Sequence, residues 1–237
     1  MRYFARPESG TVEVAALLAL YGLYEVVRGF GDASFAFARE HASDIVALER
    51  ALGVYGERTV QELVMNIPGL PSVLGFAYIA LHIAVTVGVL IWVYQRHRTR
   101  FPVVRTSLIA STALSLVVYV LYPVAPPRLA GLGFADTVTD HAGINLSSDL
   151  LASFYNPFAA VPSLHFGYAL LVGVAVAMLA GNRALRFAGA AYPLVMLFII
   201  VSTGNHFLLD AVAGGFVVAA GWLVARAVAR PSEAAAA

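Results

Sequence analysis

Apolar residues run in six long stretches along the chain, near 12–30, 73–94, 104–122, 161–180, 185–201 and 207–228, with polar or Gly/Pro-containing breaks between them. Each is close to the roughly 20 residues an α-helix needs to cross a hydrocarbon core of about 30 Å. Inside lipid the backbone must satisfy its own polar groups, so runs of this length predict helices. The stretch 73–94 carries no formal charge and contains His82. In the first stretch Glu25 and Arg28, three residues apart, can pair on one helix face. The pattern predicts an all-α, polytopic six-helix bundle forming a single transmembrane domain over 1–230, with the Ala-rich end 231–237 as a disordered tail. Between the first two stretches, 31–66 is polar, and Ile45, Leu48 and Leu52 fall at helical spacing opposite Asp44, Glu49 and Arg50. That spacing predicts an amphipathic outer helix lying on the membrane surface or capping the bundle.

Composition moves the expected solvent from water to the bilayer. Hydrophobic residues make up 60% of the chain, charged ones 12%, and the mean hydropathy is +0.79, whereas a soluble domain is nearer half apolar. The basic residues are all arginine, and none forms a run interleaved with aromatics, so nucleic acid is not an expected partner. The absence of cysteine excludes disulfides and thiolate metal sites. The first ten residues lack a short apolar core with a small-residue cleavage site, so no removable leader is expected. With six crossings both termini share a side. Ten arginines (2, 6, 96, 98, 100, 105, 183, 186, 226 and 230) then lie on that side, against five (28, 39, 50, 58 and 128) on the other. The positive-inside rule assigns the termini to the cytoplasm.

Candidate chemistry gathers on the opposite face. His165 opens the fourth stretch and His206 precedes the sixth, so two crossings return both imidazoles to one depth. Arg128 follows the exit of the third stretch, and Asp210 stands one helical turn after His206. This set suits displacement at phosphorus. His206 can attack through one ring nitrogen while Asp210 fixes the tautomer at the other. His165 can protonate the leaving oxygen, and the Arg128 fork can hold phosphoryl oxygens. None of these roles needs a metal or a cofactor. His82, Asn205 and Ser163 are candidate substrate contacts, with Thr203 a further candidate donor. Pro126-Pro127 ends the third helix and aims Arg128. Gly214 and Gly215 are expected to allow close helix packing, and Asp136, Asp140 and Asp149 to be solvated loop residues.

Three segments, Tyr122-Pro-Val-Ala-Pro-Pro-Arg128-Leu129, Val161-Pro-Ser-Leu-His165-Phe-Gly167 and Ser202-Thr-Gly-Asn-His206-Phe-Leu-Leu-Asp210, resemble the signature motifs of the type 2 phosphatidic acid phosphatase superfamily. They are most similar to its branch typified by inositol phosphorylceramide synthase, with the sphingomyelin synthases more distant. The resemblance implies a six-helix core, an active site at the non-cytoplasmic face, a phosphohistidine on His206 supported by Asp210, and proton transfer by His165. The chain departs from the phosphatase pattern at three places. Leu121 stands where that branch has lysine, Leu129 where it has proline, and Ile200 where it has arginine. Fewer cations suit a singly charged diester better than a phosphate monoester. The expected function is therefore a membrane phosphotransferase moving a phospho-headgroup from a lipid donor to an alcohol, with the segment 129–160 selecting the acceptor. A lipid phosphate phosphatase using water is the alternative. A metal-binding or proton-relaying transporter and a catalytically silent helical bundle are further alternatives, and the sequence leaves the oligomeric state open.

Overall fold

The computed structural model describes residues 9–29, 35–144 and 156–229, with only the backbone of 23–29. The expected Glu25–Arg28 pair, Arg2, Arg6, Asp149, Arg230, the tail 231–237 and the middle of the 129–160 segment lie outside those residues or side chains.

The described residues form an all-α, multi-span protein. Its helices are α1 (Gly10–Gly29), α2 (Phe35–Ala51), α3 (Glu57–Met65), α4 (Leu70–Arg96), α5 (Phe101–Leu121), the short α6 (Thr137–Asp140), α7 (Leu164–Leu179), α8 (Arg183–Ser202) and α9 (Leu208–Ala229). Four of them, α4, α5, α8 and α9, are long and apolar enough to cross a membrane. Of the other two expected crossings, α1 has 20 residues and α7 has 16. α7 starts at Leu164 because the Ser163 hydroxyl accepts from the Phe166 amide and caps it, which leaves Val161 and Pro162 in the preceding loop.

The core is built by α5 and α7 against α9 and by α7 against α8, with α4 and α1 flanking. Backbones approach closely because small residues meet. A Cβ on Gly173 would lie 2.5 Å from the Gly189 carbonyl, and one on Gly221 would lie 2.6 Å from the Ser107 carbonyl. Polar side chains buried along α5 return their protons to the preceding turn, Ser111 to Ser107 and Ser115 to Ser111. These two serines therefore enter an apolar bundle with their donors met, while the buried Thr106 hydroxyl on the same helix has no partner among the described residues.

Two expectations about charge change. Arg105 does not face a loop surface with Arg96, Arg98 and Arg100. It is 1% exposed and bonds Glu13 of α1 at 2.5 Å, because α1 packs on α5 at that level. The outer helix α2 is also turned from its expected face. Leu48 and Leu52 are exposed, while Ala38, Ala42, Ile45, Val46 and Glu49 are buried. The small alanines let α2 seat on the strand-like segment after α5, where the Ala125 amide donates to the Ala38 carbonyl and His41 stacks on Tyr122. Glu49 is drawn inward by a backbone amide of α9.

Candidate active site

Three backbone devices bring the motif segments together at the end of the bundle where α5 exits and where α7 and α9 begin. The Ser163 amide donates to the Asp210 carbonyl at 2.9 Å, tying the start of α7 to the first turn of α9. Gly214 makes that crossing, since a Cβ there would lie 2.3 Å from the Ser163 carbonyl. The expected packing role thus belongs to Gly214, while a Cβ on Gly215 meets Phe166 and Leu170 at ordinary contact distance. The third device is the bridge between Val124 and Ala159, which sets the Arg128 segment beside the loop leading into His165.

His206 is 4% exposed, and its Nδ1 lies 3.0 Å from the Ala160 carbonyl and 3.2 Å from Asp210 Oδ2. A carbonyl can only accept, so Nδ1 carries the proton and the lone pair sits on Nε2. The same Asp210 oxygen accepts from the Phe207 amide at 2.8 Å, so the carboxylate is held by its own helix before it touches the ring. The next two amides of that turn are capped by residues of the outer segment. Leu208 donates to Glu57 at 2.9 Å and Leu209 to Glu49 at 2.8 Å.

The His165 ring lies 5.6 Å from that of His206, centroid to centroid, and stacks on Tyr78 at 4.2 Å. It forms no hydrogen bond among the described residues. His82 adjoins it at 4.4 Å, and Tyr168 stacks on His82 at 5.8 Å. Tyr168 in turn hydrogen-bonds Thr112. Three imidazoles thus run in file from His206 into the apolar part of the bundle, and the buried Nδ1 of His82 meets no partner there.

Arg128 is anchored at both its backbone and its side chain. Its amide donates to the Gly204 carbonyl and its Nε to Asn205 Oδ1, each at 2.9 Å, while Nη1 bonds Asp136 at 2.6 Å. Because Asn205 adjoins His206, these bonds fix the guanidinium to the segment that carries the imidazole. Gly204 turns that segment with φ of +68°, and a Cβ there would lie 2.7 Å from the Gln61 amide. Gln61 itself exchanges two hydrogen bonds with Ala135 and braces the loop above.

Several expected roles change accordingly. Asn205 spends its carbonyl on Arg128 and its amide on Thr203, whose hydroxyl donates to Ile199, so both brace the turn. Ser163 is a fully buried helix cap. Asp136 is the partner of Arg128 and caps α6 through Thr139, not a solvated loop residue. Its place eight residues after Arg128 carries no periodic signal. Glu49 reads on the polar side of its helix because Leu48 and Leu52 outweigh the weaker stripe of Ala38, Ala42 and Ile45, on which it falls.

Among the described residues no group of three or more His, Asp or Glu is placed to hold a metal ion. A family model described as the PAP2 superfamily matches residues 43–224 of the chain, which include all three motif segments and both Glu49 and Glu57. No curated protein and no solved structure matches it.

Proposed function

The chain belongs to the PAP2 superfamily, and from that membership we propose that it cleaves a lipid phosphoester by displacement at phosphorus on His206. The observation that carries this is the pair of acceptors, the Ala160 carbonyl and Asp210 Oδ2, placed on His206 Nδ1. With Nδ1–H held between Ala160 and Asp210, Nε2 is the basic nitrogen and needs no deprotonation before attack. The N–P bond forms as the lipid alkoxide leaves, the alkoxide takes a proton from His165, and the imidazolium charge is balanced by Asp210. In the second step His165 takes a proton from the acceptor, the acceptor oxygen attacks phosphorus, and Nε2 departs. Arg128 holds the phosphoryl oxygens throughout.

Water as acceptor, giving a lipid phosphate phosphatase, is the reading that family membership favours. Transfer of a phospho-headgroup to an alcohol has one observation in its favour. The two places where phosphatase relatives are expected to carry further cations hold Leu121, which is 75% exposed and faces outward, and Ile200, which is wholly in the core. Arg128 is moreover paired with Asp136. A site with so little positive charge suits a singly charged diester. In either reading the donor enters from the bilayer, and His82 lines its path beside His165. The site faces the non-cytoplasmic side, with the termini in the cytoplasm.

The deciding experiment supplies purified protein with lipid phosphate monoesters and phospholipid diesters, with and without alcohols, and identifies products by mass. Inorganic phosphate from monoesters supports the first reading, and headgroup-bearing alcohols support the second. Intact lipids in every arm refute both.

Asp210→Asn separates charge from orientation. Both bonds to Asp210 end on one oxygen, while the other is buried without a partner. Asparagine can therefore keep both through its carbonyl, and Ala160 still fixes the tautomer. What is lost is the charge, worth about 1.5–3 kcal/mol in a hydrogen bond. The expected result is a fall in kcat of roughly 10- to 100-fold with an unchanged melting temperature. An unchanged kcat would remove Asp210 from the charge balance.

A further inference from the structure

Glu49 and Glu57 come from two different helices of the outer segment, yet both end on adjacent amides of α9, immediately after His206. They are 0% and 2% exposed. With Asp210 they place three carboxyl groups on one buried helix turn, and the arginines near them are engaged elsewhere. Arg39 bonds the Leu129 carbonyl, Arg50 lies over the Tyr55 ring, Arg58 pairs with Glu62, and Arg128 with Asp136. His206 meets only Asp210 among the three acids. The partial positive charge of a helix N-terminus, about half a unit, cannot balance three anions. Glu57 uses its second oxygen on the Gly56 amide. The second oxygens of Glu49 and Asp210 are both buried without a hydrogen-bond partner, but Asp210 has the His206 ring beside it while Glu49 is met by a backbone amide, so Glu49 is the one for which a negative charge costs most.

We propose that Glu49, held as the neutral acid, and Glu57 form a carboxyl clamp that positions the His206–Asp210 turn for the reaction proposed above. Neither residue touches the reacting atoms. Both act through α9, by fixing the turn on which Asp210 meets the imidazole ring. With Glu49 neutral, one fewer negative charge stands beside the Asp210 that His206 meets. Burial is the main force pushing the Glu49 carboxyl up, to about 8. The Leu209 amide opposes this, while Glu57 and then Asp210 add to it.

The clamp has readouts that do not depend on turnover. Infrared difference spectra of the full chain in detergent at pH 7 should contain a protonated-carboxyl stretch that Glu49→Gln removes. Titrating that band should give a midpoint near 8, and Glu57→Gln should move the midpoint down, because a neighbouring negative charge is gone. The linkage has a definite sign. A carboxyl that is protonated in the folded state and ionised in the unfolded chain makes stability fall as pH rises, from its unfolded pKa near 4.3 up to about 8, and stay level above. The melting temperature of the wild type should therefore decline across that window, and that of Glu49→Gln should decline less. With a lipid phosphoester as substrate, kcat of the wild type should fall with loss of one proton near pH 8, and Glu49→Gln should lack that limb. A wild type without the infrared band, or a band that survives Glu49→Gln, overturns the clamp even if the enzyme turns over. Absence of turnover with the band and its titration intact overturns the proposed function and leaves the clamp standing.

Discussion

His206→Ala is expected to lower cleavage of lipid phosphoesters by about four orders of magnitude or more, the scale on which enzymes lose activity when a covalent nucleophile is removed. The expectation rests on how completely the ring is prepared. The Ala160 carbonyl commits the Nδ1 proton, and Asp210 is pre-bound by the Phe207 amide so that it does not need to move when positive charge develops. Preorganisation of this kind removes reorganisation from the barrier, and alanine forfeits all of it at once. The neighbouring imidazole cannot take over, since the His165 ring lies 5.6 Å away on another helix. Wild-type protein incubated with lipid carrying labelled phosphorus should trap an acid-labile, base-stable phosphoryl group on His206, and the alanine variant should trap none. Its melting temperature should fall only modestly, since the Ala160 carbonyl and one Asp210 oxygen lose a donor while Asp210 keeps the Phe207 amide. Label on another residue, or activity within tenfold of wild type, would refute the covalent route.

The sequence carried the helices and the motif residues with different degrees of completeness, for a physical reason. Lipid enforces long uninterrupted apolar runs, so α4, α5, α8 and α9 are legible from length alone. The start of α7 was not, because Val161 and Pro162 are apolar while the boundary is set by the Ser163 cap. The pairing of His206 with Asp210 is expected from a four-residue spacing within one helix, but His206 stands two residues before α9 and meets Asp210 across the helix start. The anchoring of Arg128 by Asp136 joins two loop residues whose separation obeys no period. The outer segment shows the limit of binary patterning. Leu48 and Leu52 outrank alanine in hydrophobicity, yet Ala38 and Ala42 are the buried residues. What decides the face of α2 is a close backbone approach at Ala125 and a carboxyl group fitted to the Leu209 amide. Neither is written in hydropathy. Glu49 therefore read as the polar side of a surface helix when it is among the most deeply buried residues near the site.

His165→Ala is expected to slow cleavage by roughly 10²- to 10⁴-fold for lipid substrates, the range over which general acid catalysis contributes. The loss should depend on the leaving group. A lipid alkoxide is a strong base and needs a proton as it departs, whereas a phenolate leaves readily without one. With an aryl phosphoester the variant should lie close to wild type in the first step, so plots of log kcat against leaving-group pKa should be steep for the variant and shallow for the wild type. The proposed role asks for a proton that no other group already holds, and among the described residues His165 forms no side-chain hydrogen bond. Its ring is oriented by stacking on Tyr78 and contact with His82, and neither interaction engages its proton. His206 is the opposite case, locked by two acceptors on one nitrogen. A nucleophile gains from a fixed tautomer, while an acid that must also act as base in the second step gains from a proton that is not already shared. If His165→Ala lost the same factor with alkyl and aryl leaving groups, that division of labour would be wrong, and the residue would be a packing element between Tyr78 and His206.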